Sequence, residues 1–455
     1  MSTLNVDKVD PSTGTALEIG SSGDTITVPS GATLTTTSAT LNLPTTITAT
    51  TEVKTNKISP ATGTAFALGD SGDTFTVPSG ATIANSGTAT GFGITSASFL
   101  PYSNPVIING NMKVAQRATS VTGITTGGYR TCDRFEMRMS NFGTWTITQE
   151  ALSADEAFED GFSTAFKLDN TTADASLGAS DYGRIHYAIE AQDCQLFKLG
   201  NAGSDTITVA FWVKATKTGT NVVAILQSDS DRLCCQSYTI DATDTWEHKV
   251  LNFPADTAGA GINNDNGEGL EIDWWTGSGT TYTSGTLQTT WAARVNANRA
   301  VGQVNHADST SNNFHLTGVQ VEAGTYTSAD LPPFRHESYG DNLRRCQRYY
   351  YMLDPLLHGN NPIGMGSFYS TTTIYCTFDH KVNMRAEPTG DLVTGTSYFN
   401  INAESANKTF DTVSYSGNTT TGNLYGTGLT STTEGVSGRV RFNNSAARIA
   451  ADAEL

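Results

Sequence analysis

Apolar and polar residues alternate one by one in short stretches along most of this chain, and that period of two limits its fold more than any other feature. In TITVAFWVKA, the side chains of Ile207, Val209, Phe211 and Val213 fall on one face, and Thr206, Thr208, Ala210, Trp212 and Lys214 on the other. The same pattern recurs in TWTIT, RIHYAIE, VVAIL, TWEHKVLNF and FHLTGVQVEA, at intervals of about 10 to 25 residues with no helical period between them. Such spacing predicts an all-β protein built on a two-sheet antiparallel sandwich of jelly-roll form. Composition agrees: only 16% of residues are charged and 37% hydrophobic, with Thr, Ser, Gly and Asn making up much of the rest. Thr suits a pleated surface, and Gly and Asn suit tight turns.

The first hundred residues read differently. Val6–Leu34 and Thr55–Ile83 align at an offset of 49 with 18 identities in 29 positions, an internal repeat. Each copy carries one short alternating strand, Thr25–Val28 or Thr74–Val77, followed by Pro-Ser-Gly. A unit this small cannot bury enough surface to offset roughly 1–2 kcal/mol of backbone entropy per residue. It therefore needs partners, most simply copies of itself on other chains. The second copy spells Gly69-Asp70-Ser71, a triplet that carries the nucleophile in some esterases, but the first copy has Ser21 in place of the acid. A repeated structural turn is the better reading.

Charge and cysteine usage exclude several classes. With 27 basic against 44 acidic residues the net charge is −17, and no basic stripe suits nucleic acid. The opening MSTLNVDKVDPSTG has neither a basic start nor an apolar core, and no apolar run of about 18 residues occurs, so neither secretion by signal peptide nor membrane insertion is expected. The six cysteines, Cys132, Cys194, Cys234, Cys235, Cys346 and Cys376, show no CxxC spacing and read as buried free thiols.

Past a Pro332-Pro333 break, Ser338–Leu353 is the one convincing helical stretch, with Ser338 and Asp341 as a capping pair and Tyr339, Leu343, Cys346 and Tyr350 on one stripe. The remainder returns to strand and turn. The expected organisation is an extended N-terminal repeat stalk over 1–100, a jelly-roll sandwich over 101–335, a linking helix over 336–353 and a small C-terminal β domain over 354–455.

Four blocks carry a resemblance: PVIINGNMKVAQR, RAVGQVNHADSTSNNFHLTGVQVEAG, FRHESYGDNLRRCQRYYY and the terminal ADAEL. Together they resemble tail-fibre or tail-associated proteins of marine bacteriophages, in which a carbohydrate-binding-module-like sandwich is followed by a helix and a C-terminal β domain. VDKVDPSTGTALEIG and TNKISPATGTAFALG resemble the N-terminal repeats of such proteins. The resemblance implies a virion component assembled in the host cytoplasm. It further implies a homotrimer, held to other tail or head proteins by its N-terminus and presenting its distal domains to host-surface polysaccharide. A purely structural head or tail decoration or adaptor fibre is the alternative, with a glycan depolymerase behind it.

A sugar site needs flat aromatic faces beside amide, carboxylate or guanidinium groups. GLEIDWWTGSGTTYTSG offers Trp274, Trp275 and Tyr282 with Asp273, and since neighbours on a strand face opposite ways, one tryptophan is expected outside and the other in the core. Failing that segment, the site is expected in the Tyr-rich last domain around Tyr398 and Tyr425. Trp145, Trp212, Trp246 and Trp291 are expected in the core. Asn263–Glu271 and Gln227–Arg232 offer oxygen ligands for a structural calcium but lack the spacing of a calcium loop, and the seven histidines lack zinc spacing, so no metal is assigned. Asp155, Glu156, Glu159 and Asp160 form the densest acidic group, read as a solvated loop or a single helical turn rather than a catalytic pair. No enzyme activity is expected.

Overall fold

The computed structural model describes residues 104–353, 362–430 and 432–455, with isolated positions 9, 11, 13, 19, 25, 27 and 28. Apart from those positions, the two repeats, Ser71 and the expected stalk lie outside the described residues. Contacts divide the chain into Met1–Thr90 and Gly91–Leu455, and every element named below belongs to the second unit.

Two antiparallel sheets pack face to face to form the sandwich. One runs, in spatial order, Ser120–Ile124, Thr144–Ala151, Thr164–Thr172, Asn313–Ala323, Ile207–Ala215 and Glu247–Phe253. The other runs Ala292–Ala293, Arg232–Ile240, Gly219–Gln227, Glu268–Ser278, Tyr182–Glu190, Glu136–Ser140 and Gly128–Tyr129. Because the last long strand, Asn313–Ala323, inserts between Thr164–Thr172 and Ile207–Ala215, the connections cross over as in a jelly roll. Ile207, Val209, Phe211 and Val213 all enter the inter-sheet core, as their alternation requires, beside Trp145, Phe166, Ile225, Ile272 and Phe314. Gly318 kinks the inserted strand: its φ of +60° is left-handed, and a Cβ there would stand 2.8 Å from the Phe162 ring.

Both outer faces of the sandwich are partly covered. On the six-stranded sheet, Phe162, Trp246, Leu152 and Ala157 pack with Trp212 and Phe334. On the seven-stranded sheet, the chain between Gly279 and Val304 folds back over the strands. Asp155, Glu156, Glu159 and Asp160 lie on and around one helical turn, Glu156–Glu159, where Asp155 accepts from the Phe158 amide and from the Trp246 indole at 2.8 Å.

The expected linking helix is shorter than its sequence suggested. It spans Tyr339–Gln347, capped by the Ser338 hydroxyl, which accepts from the Asp341 amide at 3.2 Å. Tyr350–Leu353 instead forms a strand paired with Arg448–Asp452. Three successive tyrosines favour a pleated surface over a helix, and a waiting strand supplies their backbone bonds. Tyr350 thus leaves the helical stripe, while Cys346 stays buried and Tyr339 is exposed.

The C-terminal domain is a second, smaller sandwich. Tyr350–Leu353, Arg448–Asp452 and Thr389–Val393 form one sheet. The other has the order Ala406–Phe410, Phe399–Ala403, Ser437–Phe442, Pro362–Phe368, Thr373–Asp379, Thr421–Thr427 and Thr412–Gly417. Its core joins Phe368, Ile374, Phe399, Phe410, Leu424 and Ile449. The six cysteines are free and buried. Among the described residues no helix is long and apolar enough to cross a membrane.

Candidate functional site

The segment singled out from sequence does not form an exposed platform. Along Glu268–Ser278, Leu270, Ile272 and Trp274 point into the main core, where Trp274 meets Phe211 edge-on at 5.9 Å. Trp275 points the opposite way, as alternation demands, yet it too is fully buried. It lies among Val222, Ala224, Leu226, Leu233, Cys235 and Ala300, with Tyr282 at 5.3 Å and the guanidinium carbons of Arg184 and Arg299 each 5.3 Å from its ring. The expectation of one exposed tryptophan is therefore corrected. The cause is the returning chain, pinned over the sheet by Ala300 N–H donating to the Tyr282 carbonyl, Val304 N–H to Thr220 and His306 N–H to Thr276. Asp273, Trp275 and Tyr282 do come together, but beneath that cover, with Tyr282 half-buried at its edge.

Asp273 anchors a charged network on this face. Its carboxylate meets His186 Nδ1 at 2.9 Å, Arg184 Nε at 3.2 Å and an Arg299 nitrogen at 3.2 Å. Burial opposes its ionisation, but Arg184, the His186 bond and Arg299 hold it well below the usual carboxylate range. Glu271, two residues away on the same face, is held up at about 7 by burial and by the neighbouring Asp273 charge. Among the described residues His186, Glu271 and Asp273 are the one group with metal-ligand proximity. A cation there would have to compete with Arg184 and Arg299 for Asp273, and with Arg138, 3.5 Å from Glu271. Asp273 is already neutralised by protein cations, and Glu271 is biased toward holding its own proton, so the group fits an internal ion network better than a metal site.

The two runs considered for calcium come together, as Asp229 accepts from the Asn263 amide at 2.9 Å and from its side chain at 3.1 Å. Their oxygens are turned to backbone amides: Asp265 accepts from Gly267 N–H at 2.7 Å. That is ordinary loop capping.

A hollow of about 630 Å³ lies where the sandwich meets the linking helix, lined by Val106, Leu196, Tyr326, Arg335, Arg345 and Arg348. Its cations are closed on nearby acids: Arg348 grips Glu190 at 2.7 and 2.8 Å, Arg345 meets Glu337 at 2.8 Å and Arg335 approaches Glu322 at 3.6 Å. Tyr326 and Tyr349 on its wall are buried, leaving no aromatic face for a sugar ring.

An outward-facing aromatic row lies elsewhere, on the outer surface of the seven-stranded C-terminal sheet. Along Thr373–Asp379, Ile374, Cys376 and Phe378 face the core, so Tyr375 and Thr377 face out. Along Thr421–Thr427, Leu424 faces in, and Asn423 and Tyr425 face out. Register sets Tyr375 directly opposite Tyr425, their ring centroids 4.2 Å apart at 69°. Tyr369, 67% exposed, extends the row from the end of the next strand, 5.3 Å from Tyr375. Around the three rings stand short polar groups: Thr377 donates to the Asn423 side chain at 2.9 Å, and Ser414 and Ser416 lie on the adjoining strand. Met365, 66% exposed, completes the apolar part of the face. Of the two tyrosines expected from sequence for this domain, both are half-buried, but Tyr425 is central to the outer face, whereas Tyr398 packs against the domain core. Tyr369 and Tyr375 were not singled out. The signal for Tyr375 was present, since the alternation in IYCTF sends Ile, Cys and Phe inward and leaves Tyr375 outside.

No protein-family model and no curated protein matches this chain. Solved structures that resemble it include the enzymatically active domain of bacteriophage CBA120 tailspike protein 4, at 11% identity, 48% of this chain, 21% of that chain and a TM-score of 0.26. A putative sugar binding protein from Bacteroides thetaiotaomicron matches at 13% identity over 48% of this chain and 100% of its own, with a TM-score of 0.26. TmCBM61 in complex with β-1,4-galactotriose matches at 8% identity over 49% and 99%, with a TM-score of 0.22. The chain spans about a fifth of the tailspike's length. At these scores the likenesses carry no weight of their own, and the all-β sandwich assignment rests on the strand pairings described above.

Proposed function

We propose that this chain is a non-enzymatic, homotrimeric phage fibre, attached to the virion by its N-terminal region and adhering to host-surface glycan through the outer face of its C-terminal sheet. One observation carries the adhesive part: the exposed Tyr369 and the half-buried, outward-facing Tyr375 and Tyr425 form a continuous aromatic row amid hydroxyl and amide side chains. Pyranose rings stack their C–H faces on such rings while Asn and Thr bond the hydroxyls, and neither demands a deep pocket. A single shallow site of this kind binds at about millimolar to micromolar strength, and three on one fibre hold far more tightly by avidity. The virion part rests on the four sequence blocks, the N-terminal repeat and the inability of either repeat to bury its own strand.

Hydroxyl-radical footprinting of the full chain, with and without polysaccharide stripped from susceptible cells, tests the adhesive reading. Protection concentrated on Tyr369, Tyr375 and Tyr425 supports it; protection confined to the sandwich overturns it.

A further inference from the structure

The strand Ser437–Phe442 sends Val440 and Phe442 into the core, and so Ser437, Arg439 and Arg441 onto the same outer face as the tyrosines. The side chain of Arg439 is exposed and makes no ion pair or hydrogen bond with any described residue. Arg441 is half-buried, and its Nε likewise has no partner among the described residues. Elsewhere among the described residues Arg117, Arg134, Arg184, Arg232, Arg299 and Arg348 each have a carboxylate within ion-pair distance, and Arg130 and Arg385 are held by backbone carbonyls. Asp379, at the end of its strand, faces out on the same side as Tyr375 and Thr377 without an ion pair to Arg439, and Glu404 is tied to Lys408 in the edge hairpin. A chain of net charge −17 thus carries, on one outer sheet face, an exposed and a half-buried guanidinium group with no carboxylate partner among the described residues.

Register fixes where these cations lie. Arg439 is opposite Met365, which is opposite Thr377, and Tyr375 lies two residues along from Thr377. With about 4.8 Å between strands and about 3.4 Å per residue, Arg439 sits roughly 12 Å from the tyrosine pair. An oligosaccharide spans that distance and a single sugar does not.

Resting on the reading of this face as a glycan platform, we infer that its ligand is an acidic glycan, with Arg439 and Arg441 taking a carboxylate or sulfate ester while the tyrosines carry neighbouring sugar rings. The planar guanidinium fork matches both anions in bidentate fashion. The net negative charge of the chain makes the discrimination sharper, because an anionic polymer gains nothing from the remainder of the surface.

The test uses the full chain on an array of neutral, carboxylated and sulfated oligosaccharides, with Arg439→Gln and Tyr375→Ala alongside wild type and thermal melting as the folding control. Wild type should bind acidic members, weaken as salt rises, and lose about tenfold in Arg439→Gln, whereas Tyr375→Ala should lose binding at every salt concentration. Retention of neutral glycans by both wild type and Arg439→Gln, with loss in Tyr375→Ala, overturns the acidic assignment and leaves the platform reading standing. Binding to no glycan overturns both. A wild-type oligomer that falls apart on Arg439→Glu substitution shows the face to be a contact between copies of the chain and overturns both as well.

Discussion

Arg134 in the sandwich and Glu454 at the far end of the sequence form a buried ion pair. Glu454 also accepts from Arg117 at 3.3 Å, and the two guanidinium groups lie 3.5 Å from the ring centroids of Tyr349 and Tyr350. Arg385 grips the same end of the chain from the C-terminal domain, donating to the carbonyls of Ala453 at 2.8 Å and Glu454 at 3.0 Å and, on the sandwich side, to that of Asn266 at 2.7 Å. The terminal ADAEL block is thus the seam between the two sandwiches. Glu454→Ala leaves Arg134 buried without its counter-charge and should cost about 3–5 kcal/mol, read as a lowered denaturant midpoint. An unchanged midpoint would show that the pair contributes nothing to stability.

The Glu271–Asp273 network predicts a pH dependence whose sign follows from the direction of each shift. Glu271 is raised to about 7 in the fold against an ordinary value of 4.5, so the folded state holds the extra proton between those limits and stability falls as pH rises through them. His306, pushed down to about 3 by burial and by Lys217, acts oppositely: the unfolded chain holds the proton, and stability rises with pH up to about 6.5. Asp273, held below its ordinary 3.8, matters only at more acid pH. Glu271→Gln isolates the first term. The variant should gain stability relative to wild type at pH 8 more than at pH 5, measured by urea unfolding at both, and an equal gain at the two would refute the assignment.

Trp274→Ala and Trp275→Ala should both destabilise the sandwich, each by about 3–5 kcal/mol, because both rings are fully enclosed. Tyr282→Ala, at the edge of the cover, should cost less. Calorimetry of the three variants checks the ranking, and glycan binding by whichever remain folded should match wild type.

How far these features could be read beforehand differs by feature. The inward set Ile207, Val209, Phe211 and Val213 was legible because a strand leaves each residue one of two faces. The burial of Trp275 was not, because its cover comes from residues 279–304, a stretch with only a two-residue strand and short helical turns, and alternation says nothing about what lies above a sheet. The early end of the helix at Gln347 was hidden for a similar reason, since the partner strand for Tyr350–Leu353 lies about a hundred residues on, at Arg448–Asp452. In the candidate face, Tyr425 was recognised by composition, but its pairing with Tyr375 depends on strand register across a long-range sheet contact.

The repeats at Val6–Leu34 and Thr55–Ile83 carry a prediction of oligomeric state. Neither can bury its alternating strand alone, so the intact chain should be a trimer. Multi-angle light scattering should give about three times the 48.2 kDa chain mass. A value near one chain mass would contradict it.

Adsorption of the intact chain to susceptible cells measures adhesion through the tyrosine row. Tyr375→Ala with Tyr425→Ala removes two outward-facing rings and leaves the inward Ile374, Cys376 and Leu424 in place, so melting should stay close to wild type. In the proposed trimer avidity multiplies the loss at each site, so adsorption should fall to background. Wild-type adsorption by a folded double variant would show that the protein adheres through another surface.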